Sequence, residues 1–190
     1  MKIIIRKVPE RDTSYLERLL PDADIYCDTK HEGCRKSFEK AILMANDDAI
    51  YVQDDMILCK DFVNRAKAYI EKYPEYVIVF SNFTHDKNCK VFEEGFWNAR
   101  KGGWLLCTYI PKQIAMAFLY AKEHKLFKVH PNVTKYDFDD MEFCMFLDHY
   151  NRTVFVTVPN LAGHPKNTST TGFNRPTRIC PNFDYENAEV

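Results

Sequence analysis

Two neighbouring carboxylates follow an apolar segment in the first third of the chain. The run Ala49–Val52 leads through Gln53 into Asp54 and Asp55. Adjacent carboxylates repel each other unless a cation lies between them and a ligand. Mg²⁺ and Mn²⁺ are hard cations that bind one or two carboxylates together with phosphate oxygens and water. The pair therefore predicts a site for a metal-bound phosphate group, and the alternative is a solvated turn in which Asp54 caps the next helix.

A second acidic group lies later in the chain. Asp137, Asp139, Asp140 and Glu142 fall within six residues at the start of a predicted helix. One carboxylate in a first helical turn interacts favourably with the helix dipole, but repulsion within such a group would offset most of that benefit. One of these carboxylates could instead act as a general base toward a hydroxyl group. Helix stabilisation and catalysis both remain open for this segment.

A basic segment follows the last predicted strand. No Asp or Glu occurs from Leu161 to Asn182, whereas His164, Lys166, Arg175 and Arg178 all lie in that stretch. Histidine can join carboxylates on a metal, and cations stabilise the negative charge of a leaving phosphate. The alternatives are a surface histidine and a flexible basic tail that contacts phosphates without specificity.

Composition limits the classes of function. The 190 residues suit one domain, and 46% hydrophobic and 28% charged residues are values of a folded protein. A net charge of −1 gives no global attraction to nucleic acid or to an anionic membrane. No Rossmann glycine fingerprint, P-loop or nucleophile-elbow motif is present. Any polyanion site must therefore be local.

The cysteines and the apolar segments indicate a cytoplasmic protein. Seven cysteines occur without a CxxC spacing, so we expect all seven to be free thiols. The first apolar run is too short for a signal peptide, and Ile114–Ala121 is far too short to span a bilayer. We therefore read the four Asn-x-Ser/Thr sequons as chance occurrences.

Strands and helices alternate through the first part of the chain. Apolar runs predict four strands, and helical spacing with proline stops predicts the helices between them. The predicted strands are Lys2–Arg6, Ala23–Cys27, Ala49–Val52 and Tyr76–Ser81, and the predicted helices are 13–20, 30–46 and 60–73. Such alternation predicts an α/β fold with a parallel sheet and right-handed crossovers.

Polar residues follow each predicted strand. Ligands of such sheets bind beyond the carboxyl ends of the strands. The candidates at these ends are therefore Arg6, Asp28, the pair Asp54 and Asp55, and the Ser81-Asn82 step.

The second half of the chain is less regular. It predicts a strand or hairpin over 86–92, a strand over 104–109, helices over 112–124 and 137–150, and a strand over 154–158. From Asn160 onward the composition predicts loop.

This order of features resembles small nucleotide-sugar glycosyltransferases of GT-A fold, including GT2-like bacterial and phage-encoded members. The hallmark of that family is a strand that ends in a DxD-like acidic motif, and Gln53-Asp54-Asp55 is similar to its QDD form. The resemblance implies a single GT-A-like domain with a mixed, mainly parallel sheet flanked by helices. Within it, residues 1–81 would form a nucleotide-binding half, 82–160 an acceptor half and 161–190 a C-terminal loop or tail.

The resemblance extends to other segments. Asp28 and the start of the following helix, 33–37, resemble the nucleotide-contacting segment, and Gly102-Gly103-Trp104 resembles the segment that lines the donor sugar. The pair Asp139-Asp140 resembles the acidic pair where inverting members place their base. His164 resembles a late histidine that completes the metal shell in many members.

The activity implied is transfer of a sugar from a nucleotide-diphosphate sugar, most often a UDP-sugar, to an acceptor hydroxyl on a glycan, a protein or a modified nucleic acid. Asp55 and His164 would bind Mn²⁺ or Mg²⁺, and Asp140 or Asp139 would be the base of an inverting displacement. In this mechanism the donor is expected to bind through Arg6, Asp28, Arg35, Asp54, Gly103, Lys166 and Arg175. Of these, Arg6, Asp28 and Arg35 would hold the nucleoside.

Two other functions fit the same residues. A metal-dependent nuclease or phosphohydrolase could use Asp54, Asp55, Asp140 and His164 without any sugar donor. A binding module without catalytic activity would have a solvated acidic turn and would show no metal-dependent ligand binding.

Overall fold

A seven-stranded mixed sheet forms the centre of the computed structural model. The structure describes residues 1–82, 93–102, 105–164, 180 and 182–188. The strands are β1 (Lys2–Lys7), β2 (Asp24–Cys27), β3 (Ala49–Gln53), β4 (Ile57–Leu58), β5 (Val77–Val79), β6 (Gly95–Asn98), β7 (Cys107–Ile110), β8 (Thr153–Val156) and β9 (Ala162–Gly163). The helices are α1 (Ser14–Leu19), α2 (Cys34–Ala45), α3 (Phe62–Lys72), α4 (Ala99–Gly102), α5 (Lys112–Glu123), α6 (Pro131–Lys135) and α7 (Asp139–His149).

The strands of the large sheet lie in the order β2-β1-β3-β7-β5-β8-β6. β1 pairs in parallel with β2 and β3, and β5 pairs in parallel with β8. β7 lies between β3 and β5 and is antiparallel to both, and β6 is antiparallel to β8. Strands β1, β2, β3, β5 and β8 therefore all end on one side of the sheet, which we call the carboxyl edge.

Side chains of the central strands alternate between two hydrophobic cores, as the two-residue period of a strand requires. Ile4 and Tyr51 face the core formed with α2, α5 and α7. Ile5 and Val52 face the core that includes side chains of α1, α3, β4 and β9. Helices therefore cover both faces, which explains why β3 is apolar at every buried position rather than at alternate ones.

The predicted α/β class is confirmed, and most predicted elements are present with bounds that differ by a few residues. The helix predicted over 30–46 begins at Cys34, because Asp28 and Gly33 form the turn before it. The predicted strand over 104–109 is the antiparallel β7. The strand or hairpin predicted over 86–92 lies outside the described residues. The short elements β4, β6, β9, α4 and α6 were not predicted.

Two further properties of the described residues concern membrane-spanning helices and cysteine pairing. In the part of the chain that the structure describes, no helix has both the length and the apolar character that crossing a membrane requires. Six of the seven cysteines are described, and all six are free thiols, namely Cys27, Cys34, Cys59, Cys107, Cys144 and Cys180. Cys89 lies outside the described residues.

Candidate active site

Asp55 and His164 meet at the carboxyl edge although 109 residues separate them in sequence. Asp55 follows β3, and His164 follows β9, which pairs antiparallel with β4 just beyond Asp55. His164 Nε2 lies 2.9 Å from Asp55 Oδ2, and the two side chains are 3% and 14% exposed. The sequence-predicted metal ligands therefore lie within hydrogen-bond distance of each other.

Asp54 is held beside this pair in a partly buried position. Its Oδ2 accepts a hydrogen bond from the backbone N–H of Val8 at 3.3 Å, which ties the end of β3 to the end of β1. Burial raises the pKa of Asp54 above its ordinary value, and the neighbouring Asp55 carboxylate raises it further. The structure thus keeps two repelling carboxylates together at a cost in free energy.

A cation that the sequence reading missed lies beside the pair. Arg11 Nη2 is 3.9 Å from Asp55 Oδ2. Arg11 lies in the loop after β1, and its backbone N–H donates to the carbonyl of Val8. Ligands of parallel sheets bind beyond the carboxyl ends of the strands. Arg11 fits this rule when the whole loop after β1 is considered and not only the residue that ends the strand.

C-terminal residues support the histidine from behind. The phenol of Tyr185 donates a hydrogen bond to the His164 carbonyl at 2.8 Å, and Cys180 Sγ accepts one from the His164 N–H at 3.3 Å. A Cβ at Gly163 would lie 2.3 Å from the ring of Phe183, so this position leaves no room for a side chain. The predicted loop is therefore packed against β9 where the structure describes it.

Arg6 and Asp139 form a buried ion pair at the same edge. Arg6 Nη2 is 2.6 Å from Asp139 Oδ2, and both side chains are less than a tenth exposed. The same nitrogen donates to the Cys34 carbonyl at 3.1 Å, and the guanidinium lies over the Phe38 ring. Within the described part of the chain, Arg6 Nε and Nη1 are buried without a hydrogen-bond partner. The pair joins β1 to the first turns of α2 and α7.

A second ion-pair group fixes the first turn of α7. Arg35 donates to both carboxylate oxygens of Glu142, and Lys122 also donates to Glu142 and contacts Glu39. Burial alone would raise the pKa of Glu142, but hydrogen bonds from Arg35 and Lys122 keep it below its ordinary value. Asp140 lies between the two anchored acids and is only partly buried.

The remaining predicted residues divide into two sets. The carboxylate of Asp28 is buried and accepts hydrogen bonds from the N–H groups of Glu32 and Gly33, so it closes the turn before α2. Gly103, Lys166 and Arg175 lie outside the described residues. The structure therefore brings together Arg6, Asp28, Asp54, Asp55, Asp139, Asp140 and His164 at one edge, with Arg35 one helical turn away.

Neutral side chains line the same edge beyond β5 and β8. Asn82 and Asn160 are buried, and Asn160 Nδ2 donates to the Asn82 carbonyl at 2.9 Å. Among the described residues, neither the Asn82 amide nor the Ser81 hydroxyl has a hydrogen-bond partner. The Ser81-Asn82 step was predicted at this edge, but Asn160 was not, because its segment reads as loop.

A metal site is not complete among the described residues, where no group of three His, Cys, Asp or Glu side chains could hold an ion. Two donors, Asp55 and His164, are in contact, and Asp54 adjoins them. In comparisons with known proteins, no family model matches the chain and no curated protein matches it. The function therefore has to be inferred from the residues at the carboxyl edge.

Proposed function

We propose that this protein is a metal-dependent glycosyltransferase of GT-A type that moves a sugar from a nucleotide-diphosphate sugar to an acceptor hydroxyl. The observation that carries the proposal is the contact between Asp55 and His164 at the end of β3. The sequence predicts both residues as metal ligands, and no local sequence feature requires them to meet. Their contact lies at the edge of the sheet where α/β proteins bind ligands.

The residues present fit a divalent cation. Carboxylate oxygens are donors that Mg²⁺ and Mn²⁺ prefer, and an imidazole nitrogen can join them. Burial and, after it, the neighbouring Asp55 carboxylate raise the pKa of Asp54, and a bound cation would relieve the repulsion between the two carboxylates. Asp55 and His164 would bind the ion, with Asp54 next to them and phosphate oxygens or water completing the shell. When bound, the ion would supply Lewis-acid stabilisation of the departing diphosphate.

Other side chains are proposed to bind the diphosphate and the nucleoside of the donor. Arg11, close to Asp55, would bind the diphosphate oxygens of the donor. Lys166 and Arg175 are proposed to add positive charge there. The turn closed by Asp28 and the free N–H donors of Arg6 are proposed to contact the nucleoside.

Asp140 is the proposed base. Asp139 is held in a buried ion pair with Arg6, so its carboxylate is committed to a cation. Asp140 is the less buried of the two and follows at about 100° around the helix. An Asp140 oxygen would take the proton of the acceptor hydroxyl. The hydroxyl oxygen of the acceptor attacks the anomeric carbon at the same time, and the bond from that carbon to the diphosphate breaks on the opposite face. A single displacement of this kind inverts the anomeric configuration.

Ligand-dependent thermal stability tests the site. UDP with Mn²⁺ is expected to raise the melting temperature of the wild-type protein by about 5–10 °C at a hundredfold excess over Kd, because binding to the native state stabilises it by about 2.7 kcal/mol. Asp55→Ala should remove the Mn²⁺-dependent part of the shift. Asp22→Ala, an exposed carboxylate in a turn before β2, is the matched control and should retain it.

Product analysis tests the reaction. A panel of UDP-sugars and acceptors, followed by ¹H NMR, should show UDP release together with a new glycosidic bond of inverted configuration. Release of inorganic phosphate or of nucleoside monophosphate without sugar transfer would instead identify a phosphohydrolase. An unchanged metal dependence in Asp55→Ala would reject the assignment of this site.

A further inference from the structure

A cavity of about 600 Å³ lies between α5 and the end of α7. It is formed by α5, the turn after α5, the end of α7 and the residues that lead into β8. Its lining residues are Gln113, Ile114, Ala117, Tyr120, Ala121, Leu126, Phe146, Tyr150 and Arg152. Cavities of 300–1,000 Å³ are the usual size for small-molecule sites, so this one can accept a ligand.

The walls of the cavity are apolar and include side chains that are unusually exposed for their type. Ile114, Ala121 and Phe146 belong to the buried core and form the inner wall. Tyr120 and Leu126 are 60% and 47% exposed and form the rim. Large apolar side chains grouped around a concave surface mark binding sites more often than the same residues scattered singly.

Side chains with hydrogen-bond donors and one cation are among the described residues that line the cavity. None of the nine lining residues is Asp or Glu. Arg152 is exposed, and within the described ranges no carboxylate forms an ion pair with its guanidinium. Asp148, four residues earlier, is paired with Arg100 at 2.8 Å and accepts from Asn98 at 3.1 Å. Arg152 is therefore available to an anion from solution.

We propose that this cavity binds an amphipathic anion, a small molecule with an apolar chain or ring and one carboxylate. The apolar body would contact Ile114, Leu126 and Phe146, and the carboxylate would receive hydrogen bonds from the Arg152 guanidinium. The proposal is independent of the function proposed for the carboxyl edge, because none of the residues that line the cavity belongs to that site.

Decanoate is the probe, with decan-1-ol as its uncharged counterpart. Titration into the isotopically labelled protein, below the concentration at which decanoate forms micelles, is followed by ¹H–¹³C NMR of methyl groups. Saturable shifts are expected at Ile114, Ala117 and Leu126. Decanoate should bind about fivefold more tightly than decanol, the usual upper value for a partly exposed ion pair.

Two variants and one control separate the parts of the proposal. Arg152→Gln should weaken decanoate about fivefold and leave decanol unchanged. Ala117→Phe fills the cavity from an exposed position on α5 and should weaken both probes at least about tenfold without affecting the core. Arg18→Gln, an exposed arginine at the end of α1, should change neither affinity.

Several outcomes would overturn the proposal. Absence of saturable shifts would reject the site, and equal loss in Arg18→Gln would show nonspecific attraction to positive charge. Unchanged binding in Ala117→Phe would place the probe elsewhere. Equal affinity for decanoate and decanol in the wild-type protein would remove the role of Arg152.

Discussion

Three carboxylates in the first turn of α7 have different environments, although the sequence presents them as one acidic group. Asp139 and Glu142 are three residues apart and therefore share a helix face. Each is buried against an arginine of another element, Arg6 and Arg35 respectively. Asp140 lies off this face and is less buried. The helix dipole alone therefore does not account for Asp139 and Glu142, because both form ion pairs with other elements.

The variants Asp140→Asn and Asp139→Asn should therefore fail in different ways. Asp140→Asn should reduce sugar transfer about 10²–10⁴-fold with little change in melting temperature, because only a proton acceptor is removed. Asp139→Asn leaves Arg6 buried without a counter-charge and should destabilise the protein by about 3 kcal/mol. Turnover and thermal unfolding are measured on both variants. Equal, small losses of activity in both would mean that neither carboxylate takes the proton.

Asp54 carries a charge that its position in the fold disfavours. It is partly buried next to Asp55, and both effects raise its pKa. In the presence of EDTA, Asp54→Asn should raise the melting temperature, because the amide keeps an acceptor for the Val8 N–H and carries no charge. Differential scanning calorimetry at neutral pH measures the change. A lower melting temperature would show that the protein already compensates both charges.

At the scale of elements, Glu142 connects three helices. It lies on α7 and receives hydrogen bonds from Arg35 of α2 and Lys122 of α5. Arg6 makes a corresponding link from β1 to α2 and α7. Buried ion pairs of this kind fix relative positions more than they add stability. They therefore set where the first turn of α7 lies at the carboxyl edge.

The Glu142 group should make stability depend on pH. Its pKa is lowered in the folded state, so it stabilises the fold above the pKa of an unfolded glutamate and loses that contribution as pH falls through the lower, folded value. Glu142→Gln should cost about 1–3 kcal/mol at pH 7. The amide still accepts a hydrogen bond, but the charge paired with Arg35 is lost and Lys122 keeps only its ion pair with Glu39.

The measurement is urea unfolding of wild-type protein and Glu142→Gln between pH 7 and pH 3. The difference in unfolding free energy should narrow in the acidic part of that range, as Glu142 becomes protonated in the wild-type protein. If the difference in unfolding free energy were the same at every pH, the loss of stability in Glu142→Gln would come from side-chain packing and not from charge. Glu123→Gln, an exposed carboxylate on α5, is the control.

On the scale of the whole molecule, the two cores lie on opposite faces of one sheet and should open together. Cys107 is buried in β7, and Cys144 is buried in α7 on the other side. Burial raises the pKa of both thiols. We expect iodoacetamide to label both at one slow rate set by global unfolding, which mass spectrometry at increasing urea would measure. Much faster labelling of Cys144 would mean that α7 detaches separately.

In the first 81 residues, sequence patterns predicted the positions of strands and helices. They did not predict which strand from later in the chain pairs with β3. Alternating strands and helices predicted the parallel strands β1, β2 and β3, and the rule for strand ends located Asp28 and the Asp54-Asp55 pair. The apolar run before Tyr109 predicted a strand but carried no information about its direction. Insertion of β7 depends on contacts with β3 and β5 that lie far away in sequence.

The residue types of the candidate site could be predicted from the sequence, but its long-range contacts could not. Residue types and the resemblance named Asp55 and His164, and the structure brings them together. The pair Arg6–Asp139 joins residues 133 apart, so local periodicity contains no sign of it. Arg35 was expected to contact a nucleoside, and its partner Glu142 becomes apparent only when α2 and α7 are packed.

The position of β7 has a consequence for how the chain folds. β1, β2 and β3 are near in sequence and can associate early in folding. The edge of β3 that does not face β1 stays unpaired until β7 docks, and β7 begins 54 residues after β3 ends. Until then β3 is an apolar edge strand with unpaired backbone groups, and such edges pair readily with other chains. The period between synthesis of β3 and docking of β7 is therefore when the nascent protein is most exposed to aggregation, and when a chaperone would protect it most.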